Sequence, residues 1–187
     1  MIRRLLFIGV MLCTAAWAAG SAAARDIQPV RETLGRYRIE IRESSVSGLS
    51  AGGFFANQFF VAYSDIMSGV GVFAGGLYGC ARGDLLKAVN DCMSSPGRIT
   101  PDVISDLVSR ARADAQQGRI DPLENLKTKK VFLFSGSLDR TVRPGVVDRA
   151  YDEYLKMGVP SANLRYERDM ATGHAHFQIF IVRPVHN

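Results

Sequence analysis

The sequence predicts an α/β fold, a mostly parallel sheet flanked by helices. Three observations lead there. First, β-prone or apolar runs alternate with helix-like runs along the chain, an order that argues for parallel strands joined by right-handed crossovers. Second, the runs 67–76 and 129–136 are rich in apolar residues and end in glycine, as strands buried on both faces do. Third, the pentapeptide Gly48-Leu49-Ser50-Ala51-Gly52 stands between a β-prone stretch and a run of small and aromatic residues. Strand, tight turn and helix form the setting in which G-x-S-x-G exposes a serine hydroxyl.

The elements follow in order. Residues 1–24 have the layout of a secretory signal. Arg3 and Arg4 come first, then an apolar stretch over 5–19 broken only by Thr14, then the small residues Gly20-Ser21-Ala22-Ala23-Ala24. A membrane anchor is the rival reading, but the run is short and closes on alanines instead of a positive stop. Cleavage near Ala24 leaves 25–187 as one catalytic domain with no stable membrane anchor, placed in the periplasm or outside the cell. Weak alternation over 26–41, with Tyr37, Ile39 and Ile41 at period two, suggests a short strand. A strand over 44–47 leads into the pentapeptide, and a helix over 53–63 follows it. The strand 67–76 comes next. An insertion, 77–126, then holds two cysteines and one clear helix. Thr100 caps that helix, Pro101 suits its first turn and Asp102 complements its dipole. Val103, Ile104, Leu107, Val108, Ala111 and Ala115 recur at helical spacing and read as packing surface. The strand 129–136, a helix over 145–157 ending near Gly158, and a strand over 163–168 complete the order.

Composition narrows the function. The formal charge of +5 falls by two when Arg3 and Arg4 leave, and no basic stripe with interleaved aromatics is present, so nucleic acid is excluded as a partner. Cys13 leaves with the signal. Cys80 and Cys92 remain, and an exported pair at this spacing points to one disulfide. No histidine lies near either cysteine, and there is no HExxH motif or phosphate-binding glycine loop, so no metal or cofactor is expected.

If Ser50 is a nucleophile, an acid and a histidine should follow it in that order. The strand ending near Ser135 runs into Gly136-Ser137-Leu138-Asp139, where a carboxylate leaves a strand end. Asp139 also reads as a turn aspartate bonding its own backbone. Asp148, inside a helix, and Asp121, before Pro122, are poorer candidates. Of three histidines, His174 lies on a glycine-containing loop after the last strand, His176 is the fallback and His186 sits by the chain end. In this arrangement His174 takes the proton of Ser50, Asp139 holds the imidazole, and the backbone N–H of Ala51 is the first oxyanion donor. Gly48 and Gly52 are read as positions where a side chain would collide with the neighbouring strand or helix.

These residues carry a resemblance. Ser45-Val46-Ser47-Gly48-Leu49-Ser50-Ala51-Gly52-Gly53-Phe54-Phe55-Ala56 resembles the nucleophile region of secreted poly(3-hydroxybutyrate) depolymerases and their serine esterase relatives. Phe73-Ala74-Gly75-Gly76-Leu77-Tyr78-Gly79-Cys80-Ala81 is similar to the segment after the next strand in that family. Gly136-Ser137-Leu138-Asp139-Arg140-Thr141-Val142-Arg143-Pro144 is similar to its acid loop, and Gly173-His174-Ala175 to its histidine loop. The match runs from about 44 to 175. It implies an α/β-hydrolase-like fold, incomplete or circularly permuted here. Only about twenty residues precede the pentapeptide after signal cleavage, and the chain stops thirteen residues beyond His174. The tail 177–187 is unlike the family's continuation and reads either as one strand or as a frameshifted or truncated end.

The resemblance implies a secreted serine esterase acting on poly(3-hydroxybutyrate) or its oligomers. Phe54, Phe55 and Tyr78 are candidates for an apolar substrate cleft, with packing the preferred reading for Phe54, Phe55, Phe59 and Phe60. Two alternatives remain: a carboxylesterase on small or plant-derived esters such as acetyl or feruloyl groups, and an inactive truncated remnant.

Overall fold

The computed structural model describes residues 40–175. The expected signal over 1–24, the residues 26–39 of the expected first strand, His176, His186 and the tail 177–187 lie outside the described residues. Four strands, β1 (Ser44–Leu49), β2 (Met67–Phe73), β3 (Lys130–Phe134) and β4 (Leu164–Glu167), form one sheet in the order β1-β2-β3-β4. All three pairings are parallel. Their registers set Leu49 beside Phe73, Phe73 beside Phe134 and Phe134 beside Glu167. One row of residues therefore closes all four strands, and every loop that follows a strand leaves from the same rim.

Four helices join the strands: α1 (Ala51–Ala62), the single turn α2 (Leu85–Lys87), α3 (Pro101–Gln116) and α4 (Pro144–Met157). The capping chemistry read from sequence is present. Thr100 Oγ1 accepts from Val103 N–H at 3.4 Å with Pro101 in the first turn of α3. Gly158 ends α4 at φ +102°, a left-handed conformation suited to glycine, and its N–H and that of Val159 close on Leu155 O and Tyr154 O. Asp84 starts α2 by accepting from Lys87 N–H, and α2 runs on into a π turn, Ala88–Met93, that carries Cys92. A disulfide joins Cys80 to Cys92.

One apolar cluster takes residues from every layer, including Phe60 and Val61 of α1, Val72 of β2, Val108 of α3, Leu133 of β3 and Ala150 of α4. A fully buried leucine such as Leu133 contributes about 1.5–3 kcal/mol relative to exposure. The opposite side of the sheet carries a shallow groove of about 610 Å³, lined by Ser47, Gly71, Phe73, Phe132 and Arg165 among others.

Three expectations need correction. Ile41, assigned to a strand, lies in a 3-10 turn (Ile41–Glu43) started by Glu40 Oε1 accepting from Arg42 N–H, and it is 58 % exposed. Alternation stabilises a strand only where a face is buried, and Ile41 has none. Val103 of α3, assigned to packing, is 38 % exposed because it sits in the first turn, outside the buried row Ile104, Leu107, Val108 and Ala111. Phe55, also assigned to packing, is 64 % exposed. It heads an i, i+4 ladder along α1, with its ring 6.0 Å from that of Phe59, which lies 4.9 Å from that of Tyr63.

Candidate active site

The nucleophile turn is built by close approach. A Cβ on Gly48 would lie 2.2 Å from Gly52 O, so the end of β1 and the start of α1 touch through backbone alone. Ser50 joins them at φ 56° and ψ −124°, a conformation that side-chain-bearing residues rarely adopt and that costs of order 1–3 kcal/mol. Two hydrogen bonds hold it: Ser50 N–H donates to Phe73 O, and Phe54 N–H donates to Ser50 O, each at 2.9 Å. The second glycine that the turn requires is Gly53, not Gly52. A Cβ at Gly53 would lie 2.9 Å from Phe73 O and 3.0 Å from Gly48 O, whereas one at Gly52 meets nothing within 4 Å. The difference is direction: Gly53 is buried against β2, and Gly52 faces solvent on the first turn of α1.

Ala51 is the first residue of α1. Its N–H belongs to the group that has no acceptor inside a helix, and it stands at the positive end of the helix dipole.

Asp139 leaves the end of β3 through a turn closed by Asp139 N–H donating to Gly136 O at 3.0 Å. It is 4 % exposed. Its Oδ1 accepts from Thr141 N–H at 2.8 Å and Val142 N–H at 3.0 Å, and its Oδ2 lies 2.8 Å from His174 Nδ1. Turn aspartate and histidine partner are therefore the same residue, one oxygen serving each purpose. A carboxylate only accepts, so the imidazole donates through Nδ1–H and keeps a lone pair on Nε2. The His174 side chain is 24 % exposed.

The loop carrying His174 is zipped to the acid loop by backbone. Ser137 N–H donates to Met170 O at 2.9 Å and Leu138 N–H to Thr172 O at 3.1 Å. Gly136 makes this approach possible, since a Cβ there would lie 2.2 Å from Thr172 O and 2.7 Å from Gly173 O. Gly136, and the two N–H groups on Asp139 Oδ1, were not singled out from sequence. Only the Gly136-Ser137-Leu138-Asp139 run hinted at a tight turn there.

Ser50 and the Asp139–His174 pair thus sit on the one rim of the sheet. The other candidates fall elsewhere. Tyr78 lines a cleft of about 410 Å³ beside α3, with Gln58, Arg110, Asp114 and Arg119, and none of Ser50, Asp139 or His174 lines it. The Tyr78 hydroxyl is pushed up by burial and by the nearby Asp114 and Glu153 carboxyls. Asp148 is engaged by the Tyr166 hydroxyl at 2.9 Å and by Arg168, and Asp121 accepts from Asp65 N–H at 2.8 Å. No cluster of metal-ligating side chains occurs among the described residues.

No family model matches the chain. The chain is 47% identical over 139 residues, 74% of its length, to a poly(3-hydroxybutyrate) depolymerase of Delftia acidovorans, and 36% identical over 138 residues, 72% of its length, to a polyhydroxybutyrate depolymerase of Talaromyces funiculosus. Among solved structures it overlays a PHB depolymerase complexed with an R3HB trimer at a TM-score of 0.64, with 30% identity over 76% of the chain. It overlays the PHB depolymerase of Penicillium funiculosum at 0.61, with 34% identity over 73%. The chain spans 27% and 37% of the length of the two curated relatives, and 42% and 40% of the two solved chains. With 47% and 36% identity over nearly three quarters of its length and overlays at TM-scores of 0.64 and 0.61, the chain belongs to the poly(3-hydroxybutyrate) depolymerase family of α/β-hydrolase fold.

Proposed function

We propose that this chain carries the nucleophile, base and acid of a serine ester hydrolase that cleaves poly(3-hydroxybutyrate) or its oligomers. The observation that carries the reading is the Asp139–His174 hydrogen bond on the same rim as the strained Ser50 turn. His174 Nε2 accepts the Ser50 proton as Oγ attacks the ester carbonyl, and Asp139 stabilises the imidazolium. Ala51 N–H receives the negative charge of the tetrahedral oxygen, aided by the α1 dipole. Collapse expels the alcohol end of the polyester, which takes the proton from His174. Water, deprotonated by the same imidazole, then releases the hydroxyacid from the acyl-enzyme.

A polyester presents an apolar surface. Leu138, next to Asp139, is 62 % exposed, and Leu85 and Leu86 of the disulfide-bounded turn are 76 % and 73 % exposed. These exposed leucines are candidate contacts for such a surface. The disulfide and the signal-like residues 1–24 support export to the periplasm or beyond.

The test is release of 3-hydroxybutyrate from a polymer film by the purified chain, with Ser50→Ala lowering the rate by roughly 10⁴-fold or more. Turnover of nitrophenyl esters without attack on the film would move the substrate to small esters. Absence of Ser50 labelling by a fluorophosphonate probe in folded protein would mark an unassembled site and end the reading.

A further inference from the structure

Glu153 is a carboxylic acid in the middle of α4, 1 % exposed, on a helix face otherwise made of Val146, Val147, Ala150, Tyr154 and Met157. The proposed chemistry does not use it. Its Oε2 accepts from Tyr78 N–H at 2.8 Å, and its Oε1 has no hydrogen-bond partner. We propose that Glu153 is a positioning residue that acts as a pH-sensitive latch: while protonated, its buried carboxyl holds the segment 76–79, and through it the seat of the nucleophile turn, and on ionising the uncompensated charge draws it out of this dry site and opens the packing around the segment.

The segment 76–79 is clamped from two sides. From α1, Asn57 Nδ2 donates to Gly76 O at 2.7 Å, Gln58 Nε2 donates to Leu77 O at 3.3 Å, and Gln58 Oε1 accepts from Gly79 N–H at 2.8 Å. From α4 come Glu153 and the Tyr154 hydroxyl, which donates to Asn57 Oδ1 at 2.7 Å. Gly76 fits between the helices only as glycine, because a Cβ there would lie 2.4 Å from the Phe54 ring and 3.1 Å from Val146.

The same stretch of chain seats the serine turn. A Cβ on Gly75 would lie 2.9 Å from the Gly53 carbonyl carbon, so the two backbones are in contact. Ala74 is held at φ 44°, and Phe73 O takes the Ser50 N–H at 2.9 Å. Strained residues persist only where their surroundings over-determine them. Ala74 is such a residue on the stretch that leads into the clamp, and Ser50 is another, bonded to the neighbouring Phe73 O.

The latch follows from charge. Burial pushes the Glu153 carboxyl well above the ordinary carboxylate range, and the Tyr78 N–H pulls back only in part. Tyr78 on the segment, Tyr154 on α4 and Asp114 on α3 are titratable groups of this region, and Arg82, Arg110 and Arg119 line the cleft beside Tyr78, but none of these cations acts on the Glu153 carboxyl. The α1 side offers only the neutral amides of Asn57 and Gln58. A proton on Oε1 leaves one O–H without an acceptor, which costs far less than a buried bare charge. Below the ordinary glutamate value of about 4.3, native and unfolded chains both hold the proton. Above it the unfolded chain releases the proton while the native chain keeps it. The folding equilibrium constant then falls about tenfold per pH unit on account of this group, until the native carboxyl ionises.

The activity half of this proposal rests on Ser50 being the nucleophile, so two readouts are used on the full chain. Melting curves of wild type and Glu153→Gln are compared from acid to alkaline pH, with Glu153→Met as a second variant without a charge. Fluorophosphonate labelling of Ser50 is timed over the same range. Expected is a folding constant for either variant that gains about tenfold per pH unit on wild type above the carboxyl range. Labelling of wild type should fail at an alkaline pH where Glu153→Gln still reacts. Parallel melting curves overturn the latch. Melting curves that separate while labelling of both declines together overturn its link to the serine turn. A wild type that melts cooperatively but never labels ends the nucleophile reading instead, and leaves the melting curves to judge the latch.

Discussion

Replacing Gly136 by alanine tests how the base and the acid are brought together. The new Cβ would lie 2.2 Å from Thr172 O and 2.7 Å from Gly173 O, both backbone atoms that cannot rotate away. Even to reach 3.0 Å from Thr172 O, the histidine loop must retreat by about 0.8 Å. That loop is tied to the acid loop by Ser137 N–H to Met170 O and Leu138 N–H to Thr172 O, so the retreat strains both bonds. Asp139 itself stays put, anchored by Thr141 N–H and Val142 N–H. The displacement therefore falls on the 2.8 Å His174–Asp139 contact. Misplacement of a reacting group by about 1 Å costs roughly 100-fold in rate, and overpacking of this kind costs about 1–3 kcal/mol in stability. The assay is kcat/KM on a nitrophenyl butyrate, measured well below the melting transition of each variant. Gly173→Ala is the paired control, because a Cβ there meets nothing within 4 Å. A Gly136→Ala enzyme with wild-type kcat/KM, or a Gly173→Ala enzyme equally impaired, would refute the packing argument.

Two further outcomes follow from the same geometry. Asp139→Asn keeps an oxygen for Thr141 N–H and Val142 N–H, so the melting temperature should hold while kcat drops about 10⁴-fold through the wrong imidazole tautomer; a loss under tenfold would remove Asp139 from the mechanism. Replacing both Cys80 and Cys92 by serine should lower stability by about 3 kcal/mol in denaturant titration, because the bridge closes a short loop in the unfolded chain. No change there would mean that the bridge constrains nothing in the unfolded chain.

The order of elements was legible because its causes are local. Thr100 and Pro101 start a helix, Gly158 ends one, and the apolar run 130–134 prefers an extended chain, each by preferences that act over a few residues. Parallel pairing followed from the alternation of strands and helices, whereas the order β1-β2-β3-β4 came from the tertiary structure. The candidate residues Ser50, Asp139 and His174 were legible for the same reason: each sits in a short motif beside a strand end. Even Glu153 had a signal, because helical spacing places it in one row with Val146, Ala150 and Met157.

Contacts between distant segments were not legible. Whether Gly52 or Gly53 is the crowded glycine depends on β2 lying against α1. The exposure of Phe55 depends on which side of α1 meets the sheet. Tyr78 turns to α3, and its backbone meets an acid 75 positions away. By itself the sequence determined which segments form helices and strands and which side chains end up at strand ends, because backbone preference and periodicity are written within a few residues. Only the tertiary structure decided which glycines must lack a side chain and which carboxyl loses its water, because crowding and desolvation are set by neighbours that the chain brings back from far along its length.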